Sequence, residues 1–226
     1  MIVSHDYRFI FIHVPRTAGT SIEQTLCSAM GIQDWQQFVR EPRTVWAAEK
    51  HSVQLPALRN LSIRKGRSAV GSKHITAKEL RGILGEELWR SYFKFAFVRN
   101  PWDRTVSSYL KKRKESPLWL RRLWPTDART LRYALRVKYE LLRRQPIQQW
   151  DYVSEGGDLI VDFVGKFEHL QRDFAYVCQQ TGIPGDLQNN GDATTHPAYR
   201  DFYDDVTRRL VGRLYATDIE RFLYRF

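Results

Sequence analysis

One stretch constrains this chain more than any other: Phe9-Ile10-Phe11-Ile12-His13-Val14-Pro15-Arg16-Thr17-Ala18-Gly19-Thr20-Ser21-Ile22-Glu23. It opens with an apolar, β-favouring run of the kind found in a strand buried on both faces. Pro15 cannot continue a central strand, so the strand ends there. Gly19 lets the backbone turn tightly and approach a ligand. Thr20, with Glu23 three residues on, reads as the N-cap of a capping box. The helix that follows carries Ile22, Leu26 and Met30 on one face. Strand, small-residue loop and helix N-terminus together make an anion site, because N–H groups and the positive end of the helix dipole point into the loop. Arg16 adds a full positive charge and a planar fork that suits phosphate or sulfate oxygens. The stretch departs from the ATP-loop pattern of Gly, four residues and Gly-Lys-Ser/Thr. Val14 stands at the first glycine position and Thr20 at the lysine position.

A second unit of the same kind lies further on. Tyr92-Phe93-Lys94-Phe95-Ala96-Phe97-Val98 reads as another buried strand, and Pro101 ends it within Arg99-Asn100-Pro101-Trp102-Asp103-Arg104. Thr105 to Lys114 reads as a helix with Val106, Tyr109 and Leu110 inward. Ligands of open parallel sheets sit beyond the carboxyl ends of the strands. Arg16 and Arg99 would then flank one ligand carrying two separated anionic groups, with Ser107 donating its hydroxyl to the second. The alternative for Arg99 is a salt bridge to Asp103 that holds the turn. Between the two units, Thr76-Ala77-Lys78-Glu79 is a second capping box, and His74 lies on the loop just ahead of it. Positive charge from Lys73 would make its proton easy to remove, which suits a general base. The other reading is a surface or structural histidine.

A chain of 226 residues fits one α/β domain, residues 1–226, with a helical insertion at about 115–150. The predicted fold class is α/β, a central parallel sheet flanked by helices in a P-loop-like nucleotide-binding architecture. Arg129 to Arg144 reads as a helix with Leu131, Leu135, Tyr139 and Leu142 inward, and Pro146 to Gly157 as a connection. A strand falls within Leu159–Glu168. A helix from Leu170 to about Thr181 ends at Gly182. Asp204 or Asp205 caps a last helix with Val206, Leu210, Val211, Leu214, Tyr215 and Phe222 on its inner face. Ser68-Ala69-Val70 reads as a short strand. Trp35, Phe38, Val45 and Trp46 either cover the core or line a cleft, and Trp119, Trp124 and Trp150 either stack on sugar rings or pack inside.

The 36 Lys and Arg residues outnumber 25 Asp and Glu, a net charge of +11 that favours anionic partners. Lys111 to Lys114 and Arg121-Arg122 form a solvated face or the rim of an entrance for an acidic acceptor. No zinc finger, RNA-binding aromatic signature or basic zipper appears, so nucleic acid is not favoured. Cys27 and Cys178 lack metal-ligand spacing and read as reduced thiols. No run is long and apolar enough to span a membrane, and the first strand begins almost at Met1, so a cytoplasmic placement is expected.

Three further segments complete a pattern: Lys73-His74-Ile75-Thr76-Ala77, Phe163-Val164-Gly165-Lys166-Phe167-Glu168-His169-Leu170, and Tyr199-Arg200-Asp201-Phe202-Tyr203-Asp204. Together with the two strand–turn–helix units they resemble the carbohydrate branch of the sulfotransferases, which includes the heparan and chondroitin enzymes. The resemblance implies 3′-phosphoadenosine 5′-phosphosulfate (PAPS) as donor and no metal. It implies that Arg16, Thr17, Ala18, Gly19, Thr20 and Ser21 hold the 5′-phosphosulfate, that Arg99 and Ser107 hold the 3′-phosphate, and that adenine contacts come from the polar loop before Tyr199. The family usually has lysine where this chain has Arg16, which keeps the charge but has no proton to give. Direct in-line transfer is expected, with His74 as base and His13 and His51 as its rivals. Arg16 would stabilise charge building on the bridging oxygen. The acceptor would be a hydroxyl of a saccharide, a glycolipid precursor or a small metabolite, in a bacterial-type cytosolic enzyme. Three other readings stand beside this one: a nucleotide-dependent kinase of related architecture, a non-catalytic basic module for acidic glycan or nucleic acid, and a sulfotransferase that binds donor without turnover.

Overall fold

A computed structural model of the chain describes residues 1–32, 74–118, 127–185, 187 and 198–226. Trp35, Phe38, Val45, Trp46, His51, the strand expected at Ser68–Val70, Lys73, Trp119, Arg121, Arg122, Trp124 and most of the expected adenine loop lie outside the described residues. The chain groups into two compact units, residues 1–98 with 151–192, and residues 99–150 with 193–226.

The first unit is built on a four-stranded sheet. Its strands are β1 (Ile2–Ser4), β2 (Phe9–Ile12), β3 (Phe93–Val98) and β4 (Phe163–Lys166), in the order β1-β2-β3-β4. β1 pairs antiparallel with β2, and the other pairs are parallel. Phe9, Phe11, Phe95 and Phe97 bury one face against Ile22 and Leu26 of helix α1 (Gly19–Ala29) and against Phe174 and Val177 of a helix at Leu170–Thr181. Ile10, Ile12, Ala96 and Val98 alternate with them and are equally buried. Burial on both faces is why these strands read as continuous apolar runs rather than as alternating ones. The mixed α/β class with a central, mostly parallel sheet is therefore as expected. The capping box at Thr76 is formed: its hydroxyl accepts from the N–H of Glu79, whose carboxylate accepts from the N–H of Thr76 in return, and α2 (Ala77–Leu84) begins there. Gly182 ends the helix at Leu170–Thr181 with φ 70°, as the C′ pattern requires.

The connection expected from Pro146 to Gly157 instead contains a short helix at Trp150–Val153 and opens a two-stranded ribbon of Ser154–Glu155 and Asp158–Leu159.

In the second unit, α3 (Pro101–Glu115) begins four residues before the expected Thr105, because Asn100 caps it by accepting from the N–H of Trp102, with Pro101 at its first turn. Trp102, Val106 and Tyr109 pack with Leu131, Leu135, Phe202, Leu210, Val211 and Tyr215. Two expectations fail here. The helix starting at Ala128 changes to a π-helical turn at Arg136–Leu141. The wider turn rotates the apolar stripe, and Leu142 ends 59% exposed rather than inward. The last helix is two, Asp205–Leu214 and Ala216–Arg221, broken at Tyr215. Its buried stripe runs through Thr207, Leu210 and Val211, which leaves Val206 on the flank at 48% exposure. Asp204 caps it as expected, accepting from the N–H of Thr207 at 2.7 Å. Among the described residues no helix is long and apolar enough to cross a membrane.

Gly165 sits opposite Phe97 in the β3–β4 pair. A Cβ built on it would lie 2.4 Å from the Phe97 ring. Gly165→Ala is therefore expected to destabilise the chain by about 1–3 kcal/mol through overpacking, measured as a shift in urea midpoint at unchanged slope.

Candidate active site

The turn from β2 to α1 carries the residues that the sequence singled out, and its geometry differs from the expected one. Helix α1 starts at Gly19, so Ala18 takes the N-cap position and no side chain caps the helix end. Thr20 lies inside the first turn and does not cap. Glu23 does not reach back to close a capping box. Its carboxylate accepts from Nδ1 of His13 at 2.6 Å and from the amino group of Met1 at 2.9 Å. Glu23 is wholly buried and His13 is 3% exposed. A carboxylate without solvent needs such a cationic or N–H partner, and here that need overrides the local pattern.

The loop itself is backbone-driven. Arg16 (φ 71°) and Ala18 (φ 65°) both lie in the left-handed region, which costs an L-residue about 1–2 kcal/mol. Alternating left-handed residues turn successive N–H groups toward one side, the geometry that concentrates positive potential for an anion. Thr17 is buried, and its hydroxyl donates to the carbonyl of Val14 at 2.9 Å, closing the turn from within. Gly19 is required for a reason other than backbone freedom. A Cβ there would lie 2.3 Å from Nε2 of His13, whose ring is pinned by Glu23. Arg16, Thr20 and Ser21 are half-buried at the loop and the first turn of the helix.

The structure brings His74 to this turn. Its Nδ1 lies 3.1 Å from the carbonyl oxygen of His13, and the two rings meet edge to face with centroids 4.6 Å apart. A carbonyl oxygen only accepts, so Nδ1 of His74 carries a proton, and in the neutral ring Nε2 is then the basic nitrogen. Of the two described candidates for a base, His13 is committed to Glu23 on one ring nitrogen and packed against Gly19 with the other. His74 is half-buried at the start of α2.

In the second unit, Nε of Arg99 meets Oδ2 of Asp103 at 2.7 Å, so the ion pair foreseen as its alternative role is present. Ser107 is buried two turns into α3. Sequence reasoning missed what holds Arg99. The side-chain amide of Gln149 spans its main chain, accepting from the Arg99 N–H at 2.9 Å and donating to its carbonyl at 2.8 Å. Gln149 is in turn fixed by Asp218, whose two carboxylate oxygens accept from the N–H groups of Gln149 and Trp150, each at 2.9 Å. Burial raises the Asp218 carboxyl above its ordinary value, and these N–H groups draw it part of the way back. These partners are 50 and 69 residues apart in the chain, beyond any local signal. Trp150 packs on Phe222 with Arg221 over its ring.

Cys27 and Cys178 are free thiols, and burial beside Glu23 pushes the Cys27 thiol up to about 12, which leaves it unreactive. No group of three or more metal-ligating side chains occurs among the described residues.

The model of the sulfotransferase family matches residues 1–225. The chain belongs to the sulfotransferase family. Its relatives include carbohydrate sulfotransferase 11 of Mus musculus, 25% identical over 95% of this chain and 63% of that protein. Carbohydrate sulfotransferase 14 of Danio rerio is 23% identical over 99% of this chain and 57% of that protein. The chain thus spans about three fifths of the length of these curated relatives. Among solved structures, a sulfotransferase from Alicyclobacillus acidocaldarius aligns over 95% of this chain and 93% of that one, with 16% identity and a TM-score of 0.44.

Adjacent loop positions have opposite tolerances. Ala18→Gly relieves a left-handed alanine and is expected to hold stability within about 1 kcal/mol of the parent. Gly19→Ala forces His13 off Glu23 and is expected to cost more than about 2 kcal/mol. Paired thermal melts of the two variants check this.

Proposed function

We propose that this family member transfers a sulfuryl group from PAPS to a hydroxyl of a saccharide or a similar small acceptor. The observation that carries the reading is His74 at the phosphate-type loop, its Nδ1 held 3.1 Å from the carbonyl oxygen of His13. In the proposed reaction the acceptor oxygen attacks sulfur in line, and its proton passes to Nε2 of His74. The bond from sulfur to the bridging oxygen breaks, and that oxygen keeps the electron pair. Arg16 and the loop N–H groups stabilise the charge that develops there, as preorganised donors do in related group transfers. A general base of this kind contributes about a hundredfold or more.

For the donor, the proposal assigns the 5′-phosphosulfate to Arg16, Thr17, Ala18, Gly19, Thr20 and Ser21, and the 3′-phosphate to Arg99 and Ser107. Within the loop, Thr17 contributes through its backbone, since its hydroxyl is spent on Val14. The names of the curated relatives support a carbohydrate acceptor. The net charge of +11 favours an acidic one.

Calorimetry with 3′,5′-adenosine bisphosphate, beside ATP with magnesium, tests the donor reading. The bisphosphate is expected to bind and ATP to bind more weakly. Arg16→Ala and Arg99→Ala are each expected to lower bisphosphate affinity about ten- to a hundredfold, the loss of a charge-assisted contact. Tighter binding of ATP would favour the kinase reading, and no binding of either would favour the basic module.

A further inference from the structure

His13 touches three things that the proposed reaction needs. Its side chain donates from Nδ1 to the buried Glu23 of α1. Its ring fills the space above Gly19. Its main-chain carbonyl fixes the Nδ1 proton of His74, while its ring packs edge-on against the His74 imidazole. We infer that the His13–Glu23 pair is a positioning device that sets the path of the anion loop and the tautomer of His74 as one unit.

Residue 13 lies directly after β2, and Glu23 lies one turn into α1. The 2.6 Å contact therefore ties the two ends of the loop across its mouth. Neither His13 nor Glu23 is exposed, so no bulk water takes the place of their contact if it is lost. Glu23 also accepts from the amino group of Met1 at 2.9 Å, but Met1 lies outside the loop, and only the His13 contact spans it. Losing a buried contact of this kind is costly, and the chain would relieve it by moving. The adjoining segment is the loop, which already holds two left-handed residues at Arg16 and Ala18. Any shift of residue 13 also shifts the carbonyl that His74 uses. Loop and base then lose register together. His13 itself is placed to act through these neighbours, with its ring packed against Gly19 rather than presented to an acceptor.

This inference rests on the reading of His74 as base only for its functional meaning. The coupling itself is observable without turnover. Long-range proton–nitrogen spectra of the full chain labelled at histidine nitrogens report each ring's tautomer, and calorimetry with 3′,5′-adenosine bisphosphate reports the loop. The parent protein is expected to hold His74 as the single Nδ1–H tautomer. Glu23→Gln retains an acceptor for His13 and is expected to keep that tautomer, with bisphosphate affinity within about threefold of the parent. Glu23→Ala is expected to mix the His74 tautomers and to weaken the bisphosphate about tenfold or more. A parent protein with His74 protonated on Nε2 would overturn the inference, and this needs no variant to fold. So would a folded Glu23→Ala protein with unchanged tautomer and affinity. His74→Gln separates the two ideas: unchanged bisphosphate affinity with no sulfuryl transfer supports His74 as base, and retained transfer defeats that reading while leaving the coupling to be judged by the spectra. If the parent bound no bisphosphate, the donor reading would fall and the tautomer comparison would still decide the coupling.

Discussion

The architecture around β2 and α1 depends on a carboxylate taken entirely out of water. Desolvating Glu23 is unfavourable by several kcal/mol, and short contacts to His13 and to the amino group of Met1 offset it. Of these two partners, His13 is the one that is itself buried. The pair fixes where the strand ends, where the helix begins and which residue fits between them. Gly19 follows from it, because the His13 ring occupies the place where any side chain would be. The left-handed backbone at Arg16 and Ala18 also becomes tolerable, since both ends of the loop are held.

The second unit solves a similar problem with a neutral group. Gln149 satisfies both main-chain atoms of Arg99. Asp218 holds Gln149. A buried amide with two filled contacts costs less to desolvate than an ion, which suits a place where position rather than charge is the requirement. The Arg99 guanidinium, meanwhile, is steadied by Asp103 from its own helix.

Much of the fold was legible because the strands are buried on both faces. Phe9–Ile12 and Phe93–Val98 announce themselves as apolar runs, and the following prolines mark their ends. The limits of local reading show in two identical signals. Thr76 and Glu79 make the capping box that their spacing promises. Thr20 and Glu23 have the same spacing and do not, because Glu23 answers to a histidine ten residues before it. Spacing cannot reveal which of two competing partners a carboxylate will choose. Helix faces failed for a related reason: Leu142 continues its stripe on paper, but a π-turn rotates it outward. The candidate residues Arg16, Gly19, His74 and Arg99 were picked out by motif and position. The partners that orient them, Glu23 for His13 and Gln149 for Arg99, were invisible because they act through tertiary contacts.

The most direct test of the account is transfer itself. The chain would be incubated with radiosulfur-labelled PAPS and a panel of neutral and acidic saccharides, and the label followed into product. Label is expected on the hydroxyl of at least one saccharide class, and is expected to be absent with His74→Ala under conditions where that variant still binds the donor. Donor bound by the parent protein with no label leaving it for any acceptor, or undiminished transfer by His74→Ala, would contradict it.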